Sequence, residues 1–219
     1  MRKSMKAPML DRVIKNTAGE REVHRALEWY PWVIMEVVTN DQGFVVSQFS
    51  IGDQYKADFV VASAFSGGWE IHFIELEPPS LSPFNKKGDL TARLVHAAGQ
   101  IRRWKDFESR HDKRPALVSQ LRDAIVKKDL TWHDGREPTD SSGQNIMWPE
   151  SMLLMEYHVI MGRRSHLSSE LVRRKAGLIK TDGYELITYD RLLELFEKQQ
   201  KNPVYRGTVR SPGSRGIKD

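Results

Sequence analysis

The segment Phe73–Pro78 most constrains what this chain can fold into, because it combines an apolar strand with two acids. Its residues are apolar except Glu75 and Glu77. Side chains alternate along a strand, so both carboxylates point to one side, roughly 7 Å apart. A second apolar run, Ala57–Val61, carries Asp58. Neighbouring strands that bring acids together can bind a hard cation such as Mg²⁺, which prefers oxygen ligands. The alternative is a set of acids that face solvent or pair with arginine.

Composition excludes several classes of protein. The chain has 219 residues and no cysteine, so disulfides, zinc–thiolate sites and iron–sulfur clusters are ruled out. No apolar run approaches the roughly 20 residues that span a bilayer. The first residues are charged and hold no hydrophobic stretch typical of a signal peptide. We therefore expect one α/β domain in the cytoplasm, without membrane contact.

The distribution of charge favours a polyanionic partner. The net charge is +5, and residues 1–25 and 199–219 each carry a balance of +4. Between them, residues 86–128 hold twelve basic and five acidic groups, and residues 163–180 hold six basic and one acidic. Lys and Arg contacts to phosphate supply most nonspecific affinity for nucleic acid. Ordinary surface charge for solubility remains the alternative at this point.

Hydrophobic periodicity and turn residues predict the order helix, three strands, helix, then strand, helix, strand, helix. The predicted strands are 43–49, 55–62, 70–76, 152–161 and 184–188, and an apolar segment, 32–38, is predicted to be extended. The predicted helices are 17–29, about 89 or 91 to 109, 117–128, 168–177 and 191–199.

The sequence also predicts that the chain has three parts. Residues 1–15 are predicted to form a flexible basic arm. Residues 16–198 form a single domain with a loop insertion near 130–150, a length of loop that is uncommon unless it is functional or mobile. Residues 199–219, rich in Gly, Ser, Pro and Arg, are predicted to be a disordered basic tail.

Three groups of residues, in this order along the chain, carry motifs of a known nuclease family: Glu22 with Ala26-Leu27 and Pro31–Ile34; Ala57–Phe59 with Phe73–Pro79, His96-Ala97, Gln100 and Trp104; and Ile160–Arg164 with Thr188–Leu193. The pattern is similar to the PD-(D/E)XK nuclease superfamily, and within it resembles the domain of Shedu-type anti-phage nucleases. The resemblance covers roughly residues 16–198. It implies a restriction-endonuclease-like core: a helix, a three-stranded antiparallel sheet, a helix and a further strand, followed by a C-terminal strand and helices.

The resemblance implies a metal-dependent DNA endonuclease or nickase in anti-phage defence. Asp58 and Glu75 would bind Mg²⁺, with Mn²⁺ as a substitute, and Glu22 would add an oxygen ligand. Gln100 would orient the water or the phosphate. Glu77 stands where the superfamily usually has lysine, and it could accept a proton from water or join the metal site. This departure keeps open a second interpretation, an inactive nuclease-like protein that binds nucleic acid or serves in assembly.

Candidates for contact with the DNA backbone are Lys86, Lys87, Arg93, Arg102 and Arg103, although Arg102 and Arg103 cannot share one helix face. Lys86 and Lys87 could instead be solvated loop charges. The resemblance also implies a homo-oligomer, either a dimer or a tetramer. Regulation would lie in a protein partner, in the segment 130–150, or nowhere.

Overall fold

The structure, a computed structural model, describes residues 9–16, 19–39, 41, 43–127, 139 and 142–201. Within these residues, five strands form one sheet in the order β1-β2-β3-β4-β5. The strands are β1 (Gly43–Ile51), β2 (Tyr55–Phe65), β3 (Gly68–Leu76), β4 (Leu153–Ile160) and β5 (Glu185–Ile187). The α/β prediction and the five predicted strands are confirmed. The restriction-endonuclease-like arrangement stays a prediction.

The sheet is mixed. β1, β2 and β3 form an antiparallel meander, whereas β4 runs parallel to β3 and β5 runs parallel to β4. The β1–β2 turn requires glycine at Gly52, where φ is +63° and an added Cβ would lie 2.7 Å from the Phe107 ring. The two parallel connections contain the helices that cover one face of the sheet.

Seven α-helices lie within the described residues: α1 (Leu10–Lys15), α2 (Glu20–Leu27), α3 (Pro31–Val38), α4 (Ala92–Ser109), α5 (Arg114–Lys127), α6 (Ser169–Thr181) and α7 (Tyr189–Lys201). A short 3₁₀ helix, Arg164–His166, follows β4. In the described part of the chain, none of these helices has the length and apolar character needed to cross a bilayer.

Two hydrophobic cores lie on the two faces of the sheet. Alternation along β3 divides the strand between them: Trp69, Ile71 and Phe73 contact one core together with residues of α4, α5 and α6. Ile74 and Leu76 contact the other core together with residues of α1, α2, α3 and α7. Both faces of β3 are therefore buried, which holds its C-terminal end in a fixed position.

The prediction that Trp32–Val38 is extended is wrong, because this segment belongs to α3. Pro31 occupies the first helical position, where its fixed φ suits a helix and its missing N–H is not needed. Val33, Ile34 and Val37 are buried. A short, almost wholly apolar run does not distinguish a buried strand from a buried helix by periodicity.

The prediction of a flexible arm over residues 1–15 is wrong for Leu10–Lys15, which forms α1. Leu10 and Ile14 are buried in the core that α1 shares with α2, α3 and α7. Lys15 Nζ also lies 3.4 Å from Glu197 Oε1 in α7. The prediction of a disordered tail over residues 199–219 is wrong for 199–201, which end α7. Residues 1–8, residues 202–219 of the tail, and residues 130–138, 140 and 141 of the predicted insertion lie outside the described residues.

A buried polar chain crosses four strands. His72 in β3 lies 3.2 Å from Ser63 Oγ in β2 and 3.1 Å from His158 in β4. His158 Nδ1 lies 3.3 Å from a carboxylate oxygen of Glu185 in β5. Burial, and then the charge of His158, lower the pKa of His72 to about 3.

We expect the His72→Gln variant to lose less stability in acid than the wild type does. The pKa of His72 is about 3 in the fold and about 6.5 in the unfolded chain, so between these values only the unfolded chain takes up the proton. The free energy of unfolding therefore falls as the pH drops from 6.5 towards 3, by up to about 2 kcal/mol at pH 5.

Urea unfolding at pH 7 and pH 5 measures this difference. The exposed His111 provides the control variant His111→Gln, which should keep the acid sensitivity of the wild type. An equal pH dependence in His72→Gln and wild type would contradict the assignment.

Candidate active site

Three carboxylates meet where β2 and β3 approach α2 and α4. The β2–β3 register pairs Phe59 with Ile74, which brings Asp58 beside the end of β3. There the backbone N–H of Leu76 donates to Asp58 Oδ2 at 2.8 Å. Leu76 stands between Glu75 and Glu77, so this one hydrogen bond ties the acid of β2 to Glu75 in β3 and to Glu77 immediately after β3.

Glu75 carries the most perturbed carboxyl of this cluster. Burial, and then the neighbouring charges of Asp58, Glu77 and Glu20, raise its pKa to about 9, against the opposing effect of a hydrogen bond from Gln100. Its exposed fraction is 8 %. At neutral pH, and without an added cation, Glu75 therefore holds a proton.

Glu77 is buried against a cation. Arg93 Nε, in the first turn of α4, lies 2.9 Å from Glu77 Oε2, and the same guanidinium lies 3.3 Å from Glu20 Oε2. Burial raises the pKa of Glu77 to about 7, with the Arg93 charge lowering it and the Glu20 charge raising it. Burial also raises the pKa of Asp58, against the hydrogen bond from Leu76 and the charge of His24.

One face of α4 supplies the polar groups that meet these acids. Arg93 and Gln100 are seven residues apart, or two helical turns, so they project from the same side. Buried residues, Leu94, Ala97 and Ile101, hold the neighbouring stripe of α4 against the sheet. Gln100, which the resemblance implies would orient the water or the phosphate, hydrogen-bonds to Glu75.

Glu20, and not the predicted Glu22, is the acid of α2 that joins the cluster. The backbone N–H of Gly19 donates to Glu22 Oε2 at 3.0 Å, so Glu22 caps the start of α2. Glu20 instead contacts Arg93 and interacts with Asp58, Glu75 and Glu77. Burial, and then the Asp58 charge, raise the pKa of Glu20.

Gln48 and His24 also contact Asp58, and sequence reasoning did not select them for the site. Gln48 Nε2 donates to Asp58 Oδ1 at 3.1 Å. His24 in α2 stacks on Phe59, with ring centroids 4.7 Å apart, and its Nε2 lies 2.9 Å from Gln48 Nε2. No motif marks either residue. Only the strand pairing and the packing of α2 bring them to Asp58.

The donor set of this cluster suits a hard divalent cation. All of its acids are carboxylates, and their mutual repulsion would fall if a cation were added. In the described part of the chain, no three His, Asp or Glu side chains are arranged to share one metal ion. The three-ligand set Asp58, Glu75 and Glu22 is therefore not assembled. Asp58 and Glu75 alone are compatible with Mg²⁺, which commonly takes one or two carboxylates and keeps several waters.

The predicted DNA-contacting residues divide into two groups. Arg93 lies inside the acid cluster, paired with Glu77 and Glu20. Lys86 and Lys87, in the loop before α4, and Arg102 and Arg103, on α4, are exposed.

Comparison with protein-family models identifies a family that matches most of the chain. The model of the family described as Shedu protein SduA, C-terminal, matches residues 17–193. No curated protein matches the chain. The matched range contains every residue of the acid cluster as well as both hydrophobic cores, apart from α1 and the end of α7.

We expect the Glu75→Gln variant to be more stable than the wild type above neutral pH when EDTA is present. The pKa of Glu75 is about 9 in the fold against 4.5 ordinarily, so between these values the fold keeps a proton that the unfolded chain releases. The free energy of unfolding of the wild type therefore falls as the pH rises from 4.5 to 9. A neutral glutamine at this position avoids that loss.

Thermal unfolding at pH 6 and pH 8.5 tests this prediction, since each kcal/mol shifts Tm by about 2–4 °C in a chain of this size. The matched control is Glu170→Gln, at an exposed acid of α6. Parallel pH profiles for Glu75→Gln and wild type would show that the fold does not hold Glu75 in its protonated form.

Proposed function

The chain belongs to the SduA C-terminal family of Shedu proteins, and on this premise we propose that it is a divalent-metal-dependent endonuclease of the PD-(D/E)XK type. Membership in this family suggests a role in anti-phage defence. The proposed substrate is DNA, and the proposed reaction is hydrolysis of phosphodiester bonds, by nicking or by double-strand cleavage. Mg²⁺ is the proposed cofactor, with Mn²⁺ as a substitute.

One observation carries this proposal: buried acids from two neighbouring strands meet in a site with too little positive charge to neutralise them. Burial and the charges of neighbouring acids raise the pKa of Glu75 to about 9. Strongly perturbed carboxyls that gather at one place are typical of functional sites, because ordinary folding favours paired or solvated acids. A bound cation would turn this repulsion into attraction.

Each residue of the cluster has a role in this reaction. Asp58 and Glu75 would hold the ion through their carboxylate oxygens, and Gln100 would keep Glu75 in place through its hydrogen bond. When bound, the ion supplies positive charge that polarises the phosphate and lowers the pKa of water. Glu77, with a pKa of about 7, would accept the proton of the attacking water on a carboxylate oxygen. A base whose pKa lies near the working pH is efficient.

Arg93 compensates for the absence of lysine at position 77. Its Nε lies 2.9 Å from Glu77 Oε2, so a guanidinium from α4 stands beside the position where the superfamily usually has an ammonium group. Arginine stays charged at all working pH values and presents several N–H donors. It can therefore orient Glu77 and also donate to a phosphate oxygen.

A basic surface beside the site supports DNA as the substrate. Lys86 and Lys87 are exposed in the loop that joins Glu77 to α4. α6 packs on this loop, with the Arg174 guanidinium 5.9 Å from the Phe84 ring centroid. Cations from both basic stretches, residues 86–128 and 163–180, therefore lie on one surface, where phosphates can bind. A homo-oligomer, either a dimer or a tetramer, remains part of the proposal from the resemblance alone.

The second candidate function is a nuclease-like protein that binds DNA without cutting it. The carboxylate of Glu77 favours this candidate, because it cannot supply the positive charge that a lysine would. The two candidates differ in metal-dependent product, which the following experiment measures.

We expect purified protein to convert supercoiled plasmid into nicked or linear product in Mg²⁺ or Mn²⁺, and EDTA to stop the reaction. Asp58→Asn and Glu75→Gln keep the side-chain shape but remove the anionic ligand, so both should fall to the rate seen in EDTA. Asp123→Asn, at an exposed position of α5, is the control that should cleave normally. Cleavage by either site variant at the wild-type rate would refute the assignment. Binding of plasmid without product in either metal would establish the second candidate.

We expect the double variant Lys86→Glu/Lys87→Glu to bind duplex DNA more weakly and with a smaller dependence on salt. Each lost phosphate contact reduces the slope of log K against log salt by about 0.9. Fluorescence anisotropy in EDTA at several salt concentrations measures binding without cleavage. The double variant Lys198→Glu/Lys201→Glu, at exposed positions of α7, is the control of matched charge. A slope equal to that of the wild type would place the DNA on another surface.

A further inference from the structure

Strand β1 departs from regular geometry at Gln48. Its φ is +55°, and it is the only non-glycine residue with a positive φ in the described part of the chain. In this left-handed region the Cβ atom crowds the following carbonyl oxygen, so the conformation is unfavourable for residues other than glycine. A non-glycine residue held in such a conformation within a strand is a candidate for a functional constraint.

The distortion turns the Gln48 side chain toward the acid cluster. The register pairs Phe49 with Ala57, so Gln48 lies across from Asp58. Val46 and Phe49 contact the same core, although a regular strand would place them on opposite faces. Without this break in alternation, Gln48 would face the core of α4, α5 and α6. With it, the side chain lies on the side of α2.

The contacts of Gln48 there are specific. Its Nε2 atom lies 3.1 Å from Asp58 Oδ1 and 2.9 Å from His24 Nε2. An amide nitrogen has two hydrogens, so it can donate to both partners at once. The other oxygen of Asp58 accepts the backbone N–H of Leu76 at 2.8 Å. Both oxygens of Asp58 are therefore held in place, one by β3 and one by Gln48.

A purely structural explanation is that the break protects an exposed sheet edge. β1 is an edge strand, and irregular edges discourage pairing with other chains. That purpose needs only the backbone conformation, which glycine would adopt with less strain. It does not account for the two side-chain contacts. A glutamine at this position is explained if its amide group is needed.

We propose that Gln48 is a positioning residue that orients the Asp58 carboxylate for a divalent cation, and that the strained backbone of β1 exists to aim its amide at Asp58. This inference rests on the proposed nuclease function. Asp58 would touch the ion, whereas Gln48 acts through Asp58.

Two variants at this position separate the side chain from the backbone. Gln48→Gly removes the amide and relieves the positive φ, whereas Gln48→Ala removes the amide and keeps a Cβ in the left-handed conformation. We expect Gln48→Gly to have a higher Tm in EDTA than Gln48→Ala and the wild type. We expect both variants to need about 10-fold or more Mn²⁺ for half of the Tm increase that the ion produces, as for other residues that orient a ligand.

The cleavage reaction gives an independent readout. Both variants should lower kcat and leave KM for plasmid unchanged, because the proposed role of Gln48 is to orient Asp58 and not to bind DNA. Ser50→Gly, at another exposed position of β1, is the matched control. It should not raise Tm, since a glycine within a strand weakens it, and it should leave the Mn²⁺ response and kcat at wild-type values.

The outcomes separate this inference from the proposed function. A wild-type protein that shows neither a Mn²⁺-induced Tm increase nor cleavage would overturn the proposed function itself. If the wild type shows the Mn²⁺-induced Tm increase and cleavage, and both Gln48 variants equal it in Mn²⁺ response and kcat, only the role of Gln48 is overturned. Loss in Gln48→Ala with full retention in Gln48→Gly would also overturn it, because the effect would then come from backbone strain.

Discussion

Burial of like charge at the end of β3 is the constraint on which the rest of this structure depends. Asp58, Glu75 and Glu77 are brought together by strand pairing and covered by α2 and α4, and Arg93 alone contacts the cluster as an ion-pairing cation among the described residues. Such an arrangement is unfavourable as long as all of its acids are ionised. A raised pKa relieves it by retaining protons, and a divalent cation would relieve it while leaving the carboxylates charged. The proposed nuclease reaction uses the second solution.

The two hydrophobic cores explain how a fold of this size holds that arrangement. Because both faces of β3 are packed against helices, the residues at its C-terminal end are held in fixed positions. α4 packs on one face and supplies Arg93 and Gln100, while α2 packs on the other face and supplies Glu20 and His24. The site is thus assembled where both layers reach the same end of the strands. Its geometry depends on the packing of each layer against the sheet.

The strands and α4 were predicted from the sequence, because alternation along a strand and the stripe of a helix are visible in the chain. The same alternation put Glu75 and Glu77 on one side of a strand, whereas the roles of Asp58, Glu75 and Gln100 came from the family resemblance. It selected Glu22 where the structure has Glu20. Residues two positions apart on a helix, such as Glu20 and Glu22, point about 200° away from each other. Which of the two faces the site depends on how α2 packs against the sheet. The segment of α3 was predicted to be extended, because a short apolar run does not show its period. The left-handed conformation at Gln48 follows from pairing between strands, which leaves no mark on local sequence.

The number of Mn²⁺ ions bound and the number of protons released on binding test most directly whether the acid cluster is a metal site. Calorimetric titration of the metal-free protein with Mn²⁺ at pH 7.5, in buffers of different ionisation enthalpy, gives both numbers. Because the pKa of Glu75 is about 9 in the free protein, a cation that binds its carboxylate must displace a proton. We expect release of close to one proton as the ion binds, and no such release in Glu75→Gln. Absence of binding, or equal proton release by the wild type and Glu75→Gln, would contradict it.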